Sequence, residues 1–169
     1  QLLMRAEQSD DILATTLRLS AALIAFDLGE VLQAQRILEL IVNPHLTSET
    51  SINFLTLRAA VAIANQEGEL ALSLLADNRL QKATLTQDYQ ISIGRLRSDA
   101  YYLSRSYIAS ARERIYIDQL LSGRDRENNQ EVIFSTLLEM PARSLASQAS
   151  KAITSDLRGW LALAALTRQ

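Results

Sequence analysis

The 169-residue sequence contains no cysteine. A disulfide framework, a thiolate zinc site and a thiol nucleophile are therefore excluded together. Histidine occurs once, at His45, which rules out a histidine-based metal motif. Five glycines and two prolines are too few for the turns of a sandwich or barrel, so long helices are favoured. The net charge of −2 lacks the strong basicity of a nucleic-acid binder. Apolar runs are short. Ala59–Ala64 and Trp160–Leu166 fall far below the roughly 18 residues of a membrane span. No signal peptide is present, and the chain opens on Gln1 rather than Met. We read it as a piece of a longer protein whose targeting segment lies outside it.

What is present is a helix-forming chain. Hydrophobic residues make up 48%, enough for a sizeable core at this length. Leu, Ala, Arg, Gln and Glu dominate, and all are good helix formers. Asp10 and Asp11 suit a helix start, because carboxylates there accept orphan N–H groups and oppose the dipole. The first apolar run, Ile12, Leu13, Leu17, Leu19, Leu23 and Ile24, closes at Asp27-Leu28-Gly29, where glycine suits a left-handed end. A second helix carries Val31, Ala34, Ile37, Leu38 and Ile41 and stops at Asn43-Pro44. Thr47 or Ser48 caps a third, which ends at Gln66-Glu67-Gly68. A fourth holds Leu70 to Leu75, and a fifth runs from Thr86 to about Ser110. A sixth, Ile115 to Leu121, ends at Ser122-Gly123. The last three run from about Glu127 to Glu139, from Pro141 to about Ile153, and from Asp156 onward. Nowhere is there sustained strand alternation.

The spacing of the junctions predicts a repeat. Gly29-Glu30 and Gly68-Glu69 lie 39 residues apart, each between a long helix and a shorter one. A third junction is expected at Ser110-Ala111, 42 residues further on. Such lengths belong to helix-pair repeats, which bury their apolar faces only by stacking. The predicted fold is all-α: a tetratricopeptide-like solenoid of antiparallel helix pairs, about nine helices in one domain over residues 1–169. Its period is longer and less regular than that of tetratricopeptide repeats.

Groups able to do chemistry are sparse. There is no Gly-rich phosphate loop and no nucleophile elbow. His45 reads as a solvated loop residue. Asp10 with Asp11, and Glu67 with Glu69, read as capping carboxylates rather than an acid–base pair. Charge is mildly uneven: six basic against ten acidic residues up to Thr84, then eleven against nine. Acidic neighbours interrupt Arg112, Arg114, Arg124 and Arg126, so a solvated helix face fits better than a contact to an anionic polymer. The tyrosines at 101, 102, 107 and 116, and Trp160, read as packing residues between helices.

Several phrases carry a family resemblance: Ser9-Asp10-Asp11, Leu28-Gly29 with Ala34, Ala109-Ser110-Ala111-Arg112, and Ile117-Asp118-Gln119-Leu120-Leu121. The most telling is Leu157-Arg158-Gly159-Trp160-Leu161-Ala162-Leu163. Together with the helix order, they resemble the N-terminal domain of the LpoA family of outer-membrane lipoproteins, which activate class A penicillin-binding proteins. The resemblance implies a non-catalytic, tetratricopeptide-like periplasmic domain. A lipidated upstream cysteine would tether it to the outer membrane, and the synthase would dock mainly on a C-terminal domain absent here. It implies a monomer without cofactor, metal or nucleic-acid partner, and with peptidoglycan as a further candidate partner. A generic peptide- or protein-binding helical scaffold is the second reading, and a lytic enzyme acting on the same polymer the third. In tetratricopeptide-like pairs the first helix lines the concave face. That rule nominates Arg58, Asn65 and Gln66 from the second pair, and Arg97, Ser104 and Tyr107 from the third, as partner-binding residues. Ser104 and Tyr107 are expected on one side of a shared helix, three residues apart.

Overall fold

The computed structural model describes residues 2–41, 48–80 and 85–168. Among the described residues there are nine α-helices, one short 3₁₀ turn and no strand. The helices are α1 (Leu2–Asp27), α2 (Val31–Glu39), α3 (Ser48–Ala64) and α4 (Gly68–Leu75), followed by the 3₁₀ turn (Asn78–Leu80). Then come α5 (Gln87–Leu103), α6 (Tyr107–Asp118), α7 (Gly123–Leu138), α8 (Ala142–Lys151) and α9 (Ser155–Thr167). The chain divides into two compact units, 1–81 and 82–169. In the first, α1 packs on α2 and α3 on α4. In the second, α5 packs on α6, α6 on α7, and α8 on α9.

Three turns of one design make the helix pairs. Each ends the first helix with a residue at positive φ: Gly29 at 80°, Gln66 at 65° and Arg105 at 57°. The next residue's N–H reaches back five positions in each turn, Glu30 to Ala25, Glu67 to Ala62 and Ser106 to Tyr101, at 2.8–2.9 Å. The positive-φ residue itself donates to the carbonyl three positions back. This is the Schellman closure, which satisfies the orphan carbonyls of a helix end. Glu30, Glu67 and Ser106 then share nearly one conformation, with φ between −97° and −82° and ψ near 60°.

These turns correct the predicted repeat. The turn residues are 37 and 39 residues apart. Gly68 is not left-handed; it opens α4 and is buried, and Gln66 takes the strained position. The third junction lies at Arg105 rather than Ser110. No glycine or proline marks Ser104-Arg105-Ser106, and apolar periodicity runs on across it. Other boundaries shift less. Asp10 and Asp11 lie within α1 instead of capping it, and Pro141 is the residue before α8. Asn43, Pro44, His45 and Thr47 lie outside the described residues.

Measured from the turn residue, small side chains recur at fixed positions. Seven before it stand Ala22, Ala59 and Ser98; five after it stand Ala34, Ala71 and Ser110. All six are essentially buried, as close helix approach requires. In the third pair the two hydroxyls bond each other at 2.9 Å. Four residues further along, Leu38 and Leu75 are buried apolar, but the third pair has Arg114. Its guanidinium donates to Ser98 Oγ (3.1 Å) and Asp99 Oδ1 (2.7 Å). The third pair thus replaces apolar packing with a hydrogen-bonded network, satisfied as a buried polar group must be.

Each unit has its own apolar core. The first gathers Leu19, Ala22, Ala34, Leu38, Phe54 and Val61. The second gathers Ile133, Leu137, Leu145, Leu157 and Leu161. Helix α1 differs from the sequence expectation: of its predicted stripe only Leu19 is buried, joined by Ala22 and Ala25. Leu13, Leu17, Ile24 and Leu28, at near-helical spacing, remain 59–72% exposed. All five tyrosines and the single tryptophan fall in the second unit.

Candidate partner-binding surfaces

Arg58 on α3 and Asn65, the residue just past its end, whose N–H still bonds the Val61 carbonyl, stand seven residues, two turns, apart and so on one face. Both line an open pocket of about 220 Å³ in the first unit. Gln35 and Glu39 of α2 form one wall, and Leu70 and Leu74 of α4 another. Leu38, Phe54 and Val61, all buried, supply an apolar floor. The Arg58 guanidinium carbon sits 5.5 Å from the Phe54 ring centroid, within cation–π range. Asn65 Nδ2 donates to Gln35 Oε1 at 3.0 Å, and Gln35 Nε2 donates to Glu39 Oε1 at 3.1 Å. The rim amides are thereby oriented, and Arg58 offers a charge above an apolar floor. Such an arrangement suits recognition of a peptide segment through side-chain and carboxylate contacts.

The remaining candidates fall out differently. Gln66 is exposed in the left-handed turn position. Arg97 and Ser104 stand in the third pair where Arg58 and Asn65 stand in the second, 39 residues on in each case. Arg97 is half-buried on α5. Ser104 caps the end of α5, with its Oγ buried and without a hydrogen-bond partner among the described residues. Tyr107 opens α6, packs against the second core, and meets Tyr102 edge-on with centroids 5.6 Å apart. Ser104 and Tyr107 therefore do not share a helix, because the Arg105 turn separates them. The structure brings Arg58 and Asn65 together. It adds Gln35, Glu39 and Phe54, which sequence reasoning missed. The only advance signal for the first two was their own spacing of four residues on a short helix.

The arginine-rich stretch is mixed. Arg112 and Arg124 are exposed, as a solvated face requires. Arg114 is not: its side chain is 11% exposed and paired with Asp99. Arg126 Nε meets Asp118 Oδ2 at 3.0 Å. Tyr116 donates to Gln90 Oε1 at 2.8 Å, joining α6 to α5. Among the described residues, no group of three or more His, Cys, Asp or Glu is placed to hold a metal ion. Nor is any helix there long and apolar enough to cross a membrane.

No curated protein matches the chain. Among solved structures, full-length LpoA from Haemophilus influenzae matches with a TM-score of 0.71 at 18% identity. The match covers 89% of this chain and 27% of that one, so this chain spans about a quarter of LpoA. At that identity the likeness establishes the fold, an all-α, tetratricopeptide-like array of helix pairs. The family model described as "LppC putative lipoprotein" covers residues 1–169. By that match over its whole length, the chain belongs to the LppC lipoprotein family.

Proposed function

We propose that this chain is a non-catalytic scaffold and docking domain of a periplasmic lipoprotein held at the outer membrane, one that activates a class A penicillin-binding protein. The observation that supports it most is the LpoA-like fold of a chain that belongs throughout to a lipoprotein family. In this reading the chain does no chemistry. A lipid anchor outside the chain would fix one end of the protein at the membrane. Stacked helix pairs would then present an effector domain to the synthase. Confinement raises the local concentration of that effector at the synthase, so this chain contributes reach and contact while the stimulation itself lies with the effector. The proposed contact residues on this chain are Arg58 and Asn65 of the pocket, with Gln66 next in sequence, in the first unit, and separately Arg97 in the second unit. Ser104 and Tyr107 act in the turn and the core behind it.

Deletion tests this reading. Full-length lipoprotein lacking residues 1–169 should still stimulate glycan polymerisation by the purified synthase, yet fail to complement in cells. An unrelated helical-repeat domain of matching length should restore complementation in part, because it supplies the spacing but not the contact surface. If the isolated 1–169 chain alone stimulates the synthase, the scaffold reading is wrong. Pull-down of the synthase by the chain should weaken with Arg58→Ala/Asn65→Ala at unchanged helicity, and equal capture would remove the pocket from the contact surface.

A further inference from the structure

Helix α9 carries Asp156, Gly159, Trp160 and Leu163 at i, i+3, i+4 and i+7, which is one face. That face walls an open pocket of about 440 Å³ within the second unit. Ile115, Asp118 and Gln119, from α6 and its end, and Arg126 and Gln130, from α7, form the rest of its lining. The volume lies within the roughly 300–1,000 Å³ of small-ligand sites. Trp160 is half-buried: it packs on the second core and also lines the pocket.

Gly159 is the telling residue. It lies inside a helix, where glycine is disfavoured relative to alanine. Its φ is not positive, and an added Cβ would meet nothing within 4 Å. Neither backbone geometry nor packing calls for glycine at 159. What its missing side chain preserves is open space beside Trp160 on the pocket wall, as close approach of a ligand to the backbone requires.

The rim is prepared for hydrogen bonding. Asp118 Oδ2 accepts from Arg126 Nε at 3.0 Å and Gln130 Nε2 at 3.1 Å, and Oδ1 accepts from Asn129 Nδ2 at 3.1 Å. Three donors, all on α7, hold this α6 carboxylate in one orientation, which lowers the ordering cost of binding. Two carboxylates, Asp118 and Asp156, face one guanidinium, Arg126. The excess negative charge disfavours phosphate and other anions. Five polar side chains interrupt the apolar lining of Ile115, Trp160 and Leu163, whereas an amphipathic helix needs a continuous apolar groove. One ligand chemistry matches both halves of the pocket: a ring with an apolar C–H face for the indole and a rim of hydroxyls for the carboxylates and amides. We propose that the Trp160–Gly159 pocket binds a neutral sugar unit of a glycan. This goes beyond the activator reading and does not depend on it.

Trp160 is the only tryptophan in the chain, so its emission reports on the pocket directly. The 1–169 chain is titrated with the tetrasaccharides of N-acetylglucosamine and of glucose, and separately with inorganic phosphate. Saturable emission change with a tetrasaccharide, and none with phosphate, is expected. Gly159→Leu should keep or raise Tm while weakening binding about tenfold. Gln119→Ala removes an exposed rim amide without touching the core, and should weaken binding several-fold at unchanged Tm. No response to either tetrasaccharide by emission and calorimetry overturns the proposal. So does equal binding by both folded variants, or a phosphate response like that of the sugar.

Discussion

Gly94 of α5 is buried, and a Cβ there would stand 2.4 Å from Ile117 Cγ2. Ile117 is itself fully buried on α6, so the methyl has no room to retreat. Alanine improves helix propensity by about 1 kcal/mol, but overpacking a dense core costs about 1–3 kcal/mol. Gly94→Ala should therefore lower Tm. The Gly94→Ala/Ile117→Ala double variant should lose less stability than the two single variants summed, because the overlap is gone. Additive losses would show that the two residues do not meet. A second residue-scale feature is the Asp77 carboxylate. Arg79 grips it through Nε and Nη2, both at 2.8 Å, and through its backbone N–H at 2.9 Å. These hydrogen bonds, with the guanidinium charge adding to them and partial burial opposing, lower its pKa from 3.8 to about 2. A depressed carboxylate pKa stabilises the fold above the unfolded value, and that stability is lost on acidification. Asp77→Asn should thus lower Tm modestly at neutral pH, modestly because Arg79 is 48% exposed. The difference from wild type should shrink as pH falls from about 4 to about 2. A difference independent of pH would remove the ion pair from the account.

At the scale of elements, the third helix pair shows how one repeat position can be solved by different chemistry. Ser98 accepts from Arg114 and bonds Ser110, whereas Ser110's side-chain bond is to Ser98. Ser98→Ala therefore strands two polar groups and Ser110→Ala one. A stranded buried group costs about 1–3 kcal/mol, so Ser98→Ala should destabilise more by chemical denaturation, and the reverse order would refute the network. The same elements show what could be read in advance. The turn at Gly29 was legible because glycine fits φ of 80° without strain. The turn at Gln66 is legible to within two residues because Gly68 closes the polar Gln66-Glu67-Gly68 break. The turn at Arg105 was invisible. Ser-Arg-Ser carries no breaker, and Tyr101, Tyr102, Tyr107 and Ile108 continue a helical pattern through it. There the tertiary contacts of α5 and α6, not local propensity, decide the break. The Arg58–Asn65 face follows from helical spacing carried one residue past the end of α3. Phe54, Gln35 and Glu39 do not, because pairing across helices depends on packing that sequence periodicity does not encode.

At the scale of the molecule, each unit closes its own core. A cluster of ten buried residues serves the second unit, and its helices pair among themselves. Residues 82–169 expressed alone should show a helical circular dichroism spectrum and a cooperative melt. A gradual, non-cooperative loss of signal would mean that this core does not suffice. The uneven placement of aromatic residues has an optical consequence. Tyrosine and tryptophan dominate near-ultraviolet absorption, and the chain keeps all of them after residue 81. The first unit, whose aromatic residues are Phe26 and Phe54, is thus dark in the tyrosine and tryptophan bands, while the second carries every residue that absorbs there. A colourless ligand seated beside Arg58 meets only the weak phenylalanine band of Phe54 and leaves the tyrosine and tryptophan bands unmoved, and one seated beside Trp160 shifts them. The molecule labels its own halves, without any dye attached.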